Sequence, residues 1–393
     1  MLSYLRRSPR ASFSPHTPPF SSTPSLALPT TVMPDSEIAY AGTSTPAPAG
    51  EKLEVTYEED FLRRDDIRGA DERQLEAEER RQGITVTRYK HIRRMLREPL
   101  SEMLGCVMLI VCGDGAVAQS VLSSNANGNY QSINLSYGFG VLFGFLIATA
   151  GGAAGHLNPA VTLTSCLFRK FPWRKLPIYF LMQMIGCGIG ALIVYGSYRT
   201  ALTNYDGGVR HAEGDLNTAG IFFTYPESFM DLPARVMQEY VGAIMLAFVI
   251  GAVGCASTPR LSYTLPAEWN LVRGLVLAFG IYTIGSAAGW QTGYALNPAR
   301  DFGPRVAMYI VGYGTAVWEN NERYFWIPLV IPFVGSISGQ LIFDFMVYEG
   351  DVDSFATDPT IAVNKLKTLV RGEASKSESS EDGKLENSLN SSV

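Results

Sequence analysis

Two Asn-Pro-Ala triplets, Asn158-Pro159-Ala160 and Asn297-Pro298-Ala299, constrain this chain more than any other feature. Each lies in an apolar, Gly-rich stretch: Gly155-His156-Leu157-Asn158-Pro159-Ala160-Val161-Thr162 and Tyr294-Ala295-Leu296-Asn297-Pro298-Ala299-Arg300-Asp301. Asn is a favoured N-cap and Pro is tolerated at the first helical position, so each triplet should open a helix. The segments that follow, Asn158–Phe168 and Asn297–Ile310, are shorter than the roughly 20 residues that cross a hydrocarbon core of about 30 Å. Irregular backbone followed by half a helix is allowed at membrane depth only where it lines a polar cavity or is buried in protein. The pattern therefore asks for a pore.

Six longer apolar segments frame the triplets: about Leu100–Leu122, Ile133–Gly151, Leu176–Tyr198, Pro233–Cys255, Leu271–Gly289 and Tyr324–Tyr348. A triplet follows the second and the fifth, so the order span, span, half, span occurs twice, with the triplet Asn residues 139 positions apart. Three crossings per repeat is an odd number, so the second repeat is expected to be inverted, with the two Asn caps meeting near the midplane. The fold class expected is an all-α polytopic membrane protein, six transmembrane helices plus two half-helices in an inverted three-helix repeat around a central pore. Small residues at spacing four (Gly186 with Gly190, Gly285 with Gly289, Gly335 with Gly339) are read as close helix contacts.

Charge is segregated. Residues 51–98 and 349–386 hold most of it, so the net charge of −5 belongs to the ends and names no acidic or basic partner. Residues 1–50 are rich in Ser, Thr and Pro, and residues 1–88 are expected to be a disordered hydrophilic N-terminal extension. Arg6, Arg7 and Arg10 precede the first acidic residue and superficially suggest a mitochondrial transit peptide, but Pro recurs too often for a clean amphipathic helix. The channel domain is expected over 89–350, and residues 351–393 form a tail, disordered for much of its length. Lys and Arg cluster at 93–97, 169–175, 260–273 and 365–367, whereas the loop after the first span has none. That bias places both termini on the cytoplasmic side.

Individual residues follow from the same frame. If the side-chain oxygens of Asn158 and Asn297 cap their own half-helices, the amide nitrogens are left free to donate into the lumen. Two positive helix ends also oppose cations. Arg300, one turn into the second half-helix, is a charge at membrane depth and thus a functional candidate. Glu102 and Glu239, 137 residues apart, are expected to accept backbone N–H groups of the two irregular loops. Asp301 suits a dipole-stabilising place in a first helical turn, and Asp114 reads as a local cap. His156 is read as facing the lumen or bracing its loop. The five cysteines lack metal-ligand spacing and read as small core residues. Neither a nucleophile–base pair, a phosphate-binding glycine loop nor a nucleic-acid patch is apparent, so no metal, cofactor, catalytic residue or nucleic-acid partner is expected.

With two Asn-Pro-Ala boxes and six spans, Leu100–Tyr348 resembles the aquaporin superfamily, the major intrinsic proteins. The run Asn297-Pro298-Ala299-Arg300-Asp301-Phe302-Gly303-Pro304-Arg305, with Pro328-Leu329 in the last span, is similar to aquaglyceroporins. The motif Gly113-Asp114-Gly115-Ala116-Val117-Ala118-Gln119 is similar to fungal members of that branch. The resemblance implies an outer selectivity filter of Arg300, Gly285, Tyr294 and Tyr137. In the family the span-two aromatic usually lies at the place of Gly138, and a one-residue insertion would assign it to Tyr137. Gly285 would widen the opening by lacking a side chain. One wall of the lumen would be apolar, and the other would present carbonyls of Ala154, Gly155, His156, Leu157, Tyr294, Ala295 and Leu296. The function implied is passive passage of glycerol and other small polyols, with water, through each subunit of a homotetramer in the cell membrane's lipid bilayer. The rival readings are a channel for water or peroxide with little glycerol flux, a secondary transporter (which would need a titratable group at the midplane) and an intramembrane enzyme.

Overall fold

The computed structural model describes residue 81, residues 88–255 and residues 268–348. The expectations for the N-terminal extension before Arg88, for the tail over 351–393 and for Arg260 lie outside the described residues. Eight helices organise the rest: α1 (Arg88–Leu122), α2 (Tyr130–Ala150), α3 (Pro159–Phe168), α4 (Leu176–Ser197), α5 (Leu232–Cys255), α6 (Glu268–Ala288), α7 (Pro298–Met308) and α8 (Trp326–Met346). Six of them, all but α3 and α7, are long and apolar enough to cross a membrane, and no strand occurs among the described residues. This is a multi-pass, all-helical membrane protein.

The largest difference from the sequence reading is at α1, which starts at Arg88 and not near Leu100. A formed helix extends at little cost through a polar stretch, even past Pro99. The added turns are tied to the body: Arg97 donates to the Ala150 carbonyl at 3.0 Å, and Tyr179 donates to Glu98 at 2.7 Å. After α7 the chain continues in a wide helical turn, Tyr309–Tyr313, which breaks at Gly312 with a φ of 112°.

Helices α1 and α4 pack together, as do α5 and α8. Each short helix packs on the long helix from the other half of the chain, α3 on α8 and α7 on α4. Gly190 lies against Ile110 of α1, and Gly335 against the Tyr240 carbonyl of α5, where a Cβ would approach to 2.7 Å in each case. The Gly285–Gly289 pair behaves differently. A Cβ on Gly285 would meet Asn134 at 2.7 Å and the Tyr294 ring at 2.8 Å, so this pair accommodates side chains and not a neighbouring helix.

Adding one methyl group at the α1–α4 contact should overpack it, at a cost of about 1–3 kcal/mol. Gly190→Ala is therefore expected to lower the melting temperature in detergent, whereas Gly196→Ala, whose Cβ would meet nothing within 4 Å, should leave it unchanged or raise it.

Candidate functional site

Both Asn-Pro-Ala boxes start their helices as capping chemistry demands. The Asn158 side-chain oxygen accepts from Ala160 N at 2.8 Å. That of Asn297 accepts from Ala299 N at 3.0 Å and Arg300 N at 3.3 Å. The amide nitrogens are not wholly free, however. Asn158 Nδ2 donates to the Leu296 carbonyl at 3.0 Å, and Asn297 Nδ2 donates to the Leu157 carbonyl at 2.7 Å. Each box is thereby stitched to the backbone of the other. An amide nitrogen carries two hydrogens, so one per Asn remains, and both Asn residues line the central cavity.

The loops before the boxes share an unusual backbone. Leu157 (φ 53°) and Leu296 (φ 55°) are left-handed, as is Tyr294 (φ 39°). Such a conformation costs about 1–2 kcal/mol for a non-glycine residue, so the surroundings must hold it. Glu102, fully buried, accepts from Gly155 N at 3.0 Å and Leu157 N at 2.6 Å. Glu239, also fully buried, accepts from Ala295 N at 3.1 Å and Leu296 N at 3.2 Å. The Ala160 and Ala299 side chains that follow are fully buried, and Pro159 and Pro298 occupy the first turns. His156 both lines the cavity and braces its loop: its ring packs on Phe171 (4.8 Å) and Tyr179 (5.8 Å), and Nδ1 lies 3.2 Å from the Thr162 hydroxyl.

One cavity of about 690 Å³ joins these parts. Tyr137, Tyr294 and Arg300 line one end, and Arg169, Asn270 and Arg273 the other. Between them lie the two Asn residues and the loop residues Ala154, Gly155, His156, Leu157, Ala295 and Leu296. Apolar side chains line much of the rest, among them Leu109, Val141, Phe145, Leu246, Ile250 and Ile281. Two of the expected lining carbonyls, those of Leu157 and Leu296, are already engaged by the Asn amides. The Leu296 carbonyl keeps a second lone pair, whereas that of Leu157 also receives the Cys106 thiol at 3.7 Å and that of Ala295 accepts from Asn297 N at 2.5 Å.

The end at Arg300 is tightly organised. Arg300 Nη2 donates to the Tyr137 hydroxyl at 2.6 Å, its guanidinium carbon lies 4.9 Å from that ring's centre, and Nη1 is 3.5 Å from the Phe222 carbonyl. The Tyr137 and Tyr294 rings meet edge to face at 6.1 Å. Gly138 is turned away, since its Cβ would meet the Ala278 carbonyl of α6 at 2.5 Å. Gly285 does not open the cavity, because the Tyr294 ring and Asn134 fill the space its side chain would take. The Tyr294 hydroxyl donates to Asn134 Oδ1 at 2.7 Å, so the added hydroxyl points into the wall. Asp114 is not a local cap either: it is fully buried and accepts from the Tyr137 hydroxyl at 2.6 Å.

Asp301 does more than face a helix dipole. One oxygen accepts from Thr224 N at 2.8 Å and the Thr224 hydroxyl at 2.5 Å, and the other accepts from Arg305 Nε at 2.5 Å. Arg305 is buried and donates to the Val317 and Thr224 carbonyls at 2.8 and 2.6 Å. Its guanidinium lies 4.2 Å from the Phe223 ring centre and 5.4 Å from that of Tyr225. Burial pushes the Tyr225 phenol up to about 12, against the pull of Arg305, so it remains neutral at physiological pH. The Asp301–Arg305 pair thus pins the loop that carries Phe222 over Arg300. Sequence reasoning did not find Asn134, Phe222 or Thr224. Asn134 carried a signal, a lone amide inside an apolar span, whereas the loop residues carried none.

Residues 89–343 match the Major intrinsic protein family, and the chain belongs to that family. It is 43% identical over 269 residues to Aquaglyceroporin-9 of Botryotinia fuckeliana, covering 67% of this chain and 56% of that protein. It is also 43% identical over 264 residues to Probable aquaglyceroporin-2 of Gibberella zeae, covering 67% and 76%. The chain thus spans little more than half the length of the first of these relatives. Among solved structures it resembles the aquaglyceroporin from Plasmodium falciparum, with 28% identity, a TM-score of 0.56, and coverage of 64% of this chain and 96% of that one.

The buried carboxylates give a direct test. Glu239→Leu strands the Ala295 and Leu296 N–H groups, at about 1–3 kcal/mol for each unsatisfied group. It should unfold in detergent at a clearly lower temperature than wild type, and Glu239→Gln, which keeps one acceptor oxygen, should fall between the two.

Proposed function

We propose that this protein is a passive channel, not an enzyme, for glycerol and other small uncharged polyols, with water. The observation that carries this reading is the two-sided cavity. One wall offers amide donors and loop carbonyls, and the other is apolar, which matches the hydroxyl edge and the carbon edge of a polyol. Asn158 and Asn297 are the central donors, spending one N–H on each other's loop and offering the second to the permeant. The carbonyls of Gly155, His156 and Tyr294 accept no hydrogen bond from the described residues, which leaves them to a passing hydroxyl. Hydrogen bonds to water are then exchanged for these in small steps, so transport needs no coupled ion.

Tyr137, Tyr294, Arg300 and the wall at Gly285 form the outer selectivity filter. The Arg300 charge and the two helix N-termini at the boxes exclude cations and protons. The packing of α3 on α8 and of α7 on α4 supports an inverted repeat with the boxes at its centre. The Lys and Arg bias of the loops supports cytoplasmic termini, and the resemblance to aquaglyceroporins supports a homotetramer in the cell membrane. The N-terminal extension and C-terminal tail would lie on the cytoplasmic side.

Stopped-flow light scattering on proteoliposomes should show fast, non-saturating glycerol uptake with a low activation energy. Arg300→Ala should admit larger polyols at least about tenfold better relative to glycerol, equivalent to ~1.4 kcal/mol of barrier. Water flux without glycerol flux would favour the water-channel alternative and mean that the two tyrosines close the filter to polyols.

A further inference from the structure

The motif Gly113-Asp114 in α1 is not accounted for by the channel's central chemistry, yet both residues touch Tyr137. A Cβ on Gly113 would overlap the Tyr137 ring along one edge, at Cδ1, Cε1 and Cζ, the last at 2.5 Å. The ring therefore occupies the slot that this missing side chain leaves. Next to it, Asp114 receives the Tyr137 hydroxyl at 2.6 Å, while the same hydroxyl accepts from Arg300 at 2.6 Å. The chain of contacts runs from carboxylate to phenol to guanidinium across three helices, α1, α2 and α7. The second Asp114 oxygen is buried and has no partner among the described residues, so the tyrosine is the group this carboxylate serves.

We propose that Gly113 and Asp114 form a seat that fixes the filter tyrosine, and that this seat sets which solutes pass. Neither residue lines the cavity; both are positioning residues. Gly113 sets how far the ring stands back from the lumen. Asp114 sets its rotation by holding the hydroxyl, and so fixes the Arg300 fork on the opposite side. A buried carboxylate beside a buried guanidinium also balances the local charge, which lets Arg300 hold its place without a carboxylate in the lumen. The proposal rests on the reading of the chain as a polyol channel, and the test separates the two.

The test is glycerol, erythritol and water permeability of proteoliposomes containing the full chain. Glycerol uptake by wild type establishes the channel reading before any variant is compared. Gly113→Ala pushes the ring toward the lumen, so the glycerol-to-water permeability ratio should fall at least about tenfold. The double variant Gly113→Ala with Tyr137→Ala removes the ring that the methyl group displaces, and glycerol uptake should return. A glycine that only packed helices would show no such rescue. Asp114→Leu should weaken discrimination between glycerol and erythritol, and Asp114→Asn, which still accepts the hydroxyl, should weaken it less. If Gly113→Ala fails to reach the membrane, the two Asp114 variants decide alone. A wild-type permeability ratio in Gly113→Ala, an absence of rescue in the double variant, or equal effects of Asp114→Leu and Asp114→Asn would overturn the seat. No glycerol uptake by wild type would overturn the polyol reading instead, and the seat would then be judged by whether Gly113→Ala lowers water flux.

Discussion

The structure depends on a pair of crossed hydrogen bonds, from Asn158 to the Leu296 carbonyl and from Asn297 to the Leu157 carbonyl. Each joins residues about 140 positions apart in sequence. Each also uses a side chain whose oxygen is already committed to capping a helix. The Asn is therefore held at both ends, and each half of the chain helps to place the other's box. Preorganisation of this kind lets a neutral amide act as a reliable donor, because the remaining N–H has one direction available to it.

Holding the loops in position takes further bonds. A left-handed leucine immediately before each box is an unfavourable conformation, and it recurs at both boxes. Glu102 and Glu239 offset it by accepting two backbone N–H groups each. The second box has an additional support, because the loop that carries Phe222 and Thr224 is fastened to α7 through Asp301 and Arg305. Arg300 and Arg305 sit five positions apart and have opposite tasks. Arg305 is enclosed by carbonyls, a carboxylate and two aromatic rings, and it holds the loop. Arg300 is held by Tyr137 and keeps a face to the cavity.

The fold was largely legible in the sequence, because length and hydropathy decide whether a segment crosses a membrane. Apart from the start of α1, the spans fall within a few residues of their expected places. The candidate site was legible where a residue's role is local. Asn followed by Pro announces a cap, and a lone Glu in an apolar span announces a buried acceptor, so Glu102 and Glu239 could be paired with the loops. Roles that depend on distant contacts were not legible. Nothing local to Asn158 indicates that half of its amide is spent on Leu296. The absence of a side chain at Gly285 suggested an opening, yet Asn134 of α2 and Tyr294 of the loop before the second box fill it. Asp114 looked like a cap because it sits between glycines, and its partner Tyr137 lies 23 residues away. Positions one turn apart on a helix can be inferred from spacing; side chains meeting across three helices cannot.

The measurement that tests the central claim most directly is an experimental structure determined with glycerol present. Glycerol should appear in the cavity between Asn158 and Asn297, with hydroxyls in hydrogen-bond reach of both Nδ2 atoms and of the loop carbonyls, and its carbon edge should lie toward Leu109, Val141 and Leu246. Glycerol should also be found beside Arg300, held between the two tyrosines. An empty cavity, with glycerol bound elsewhere and the Asn amides both fully engaged by protein, would contradict the account.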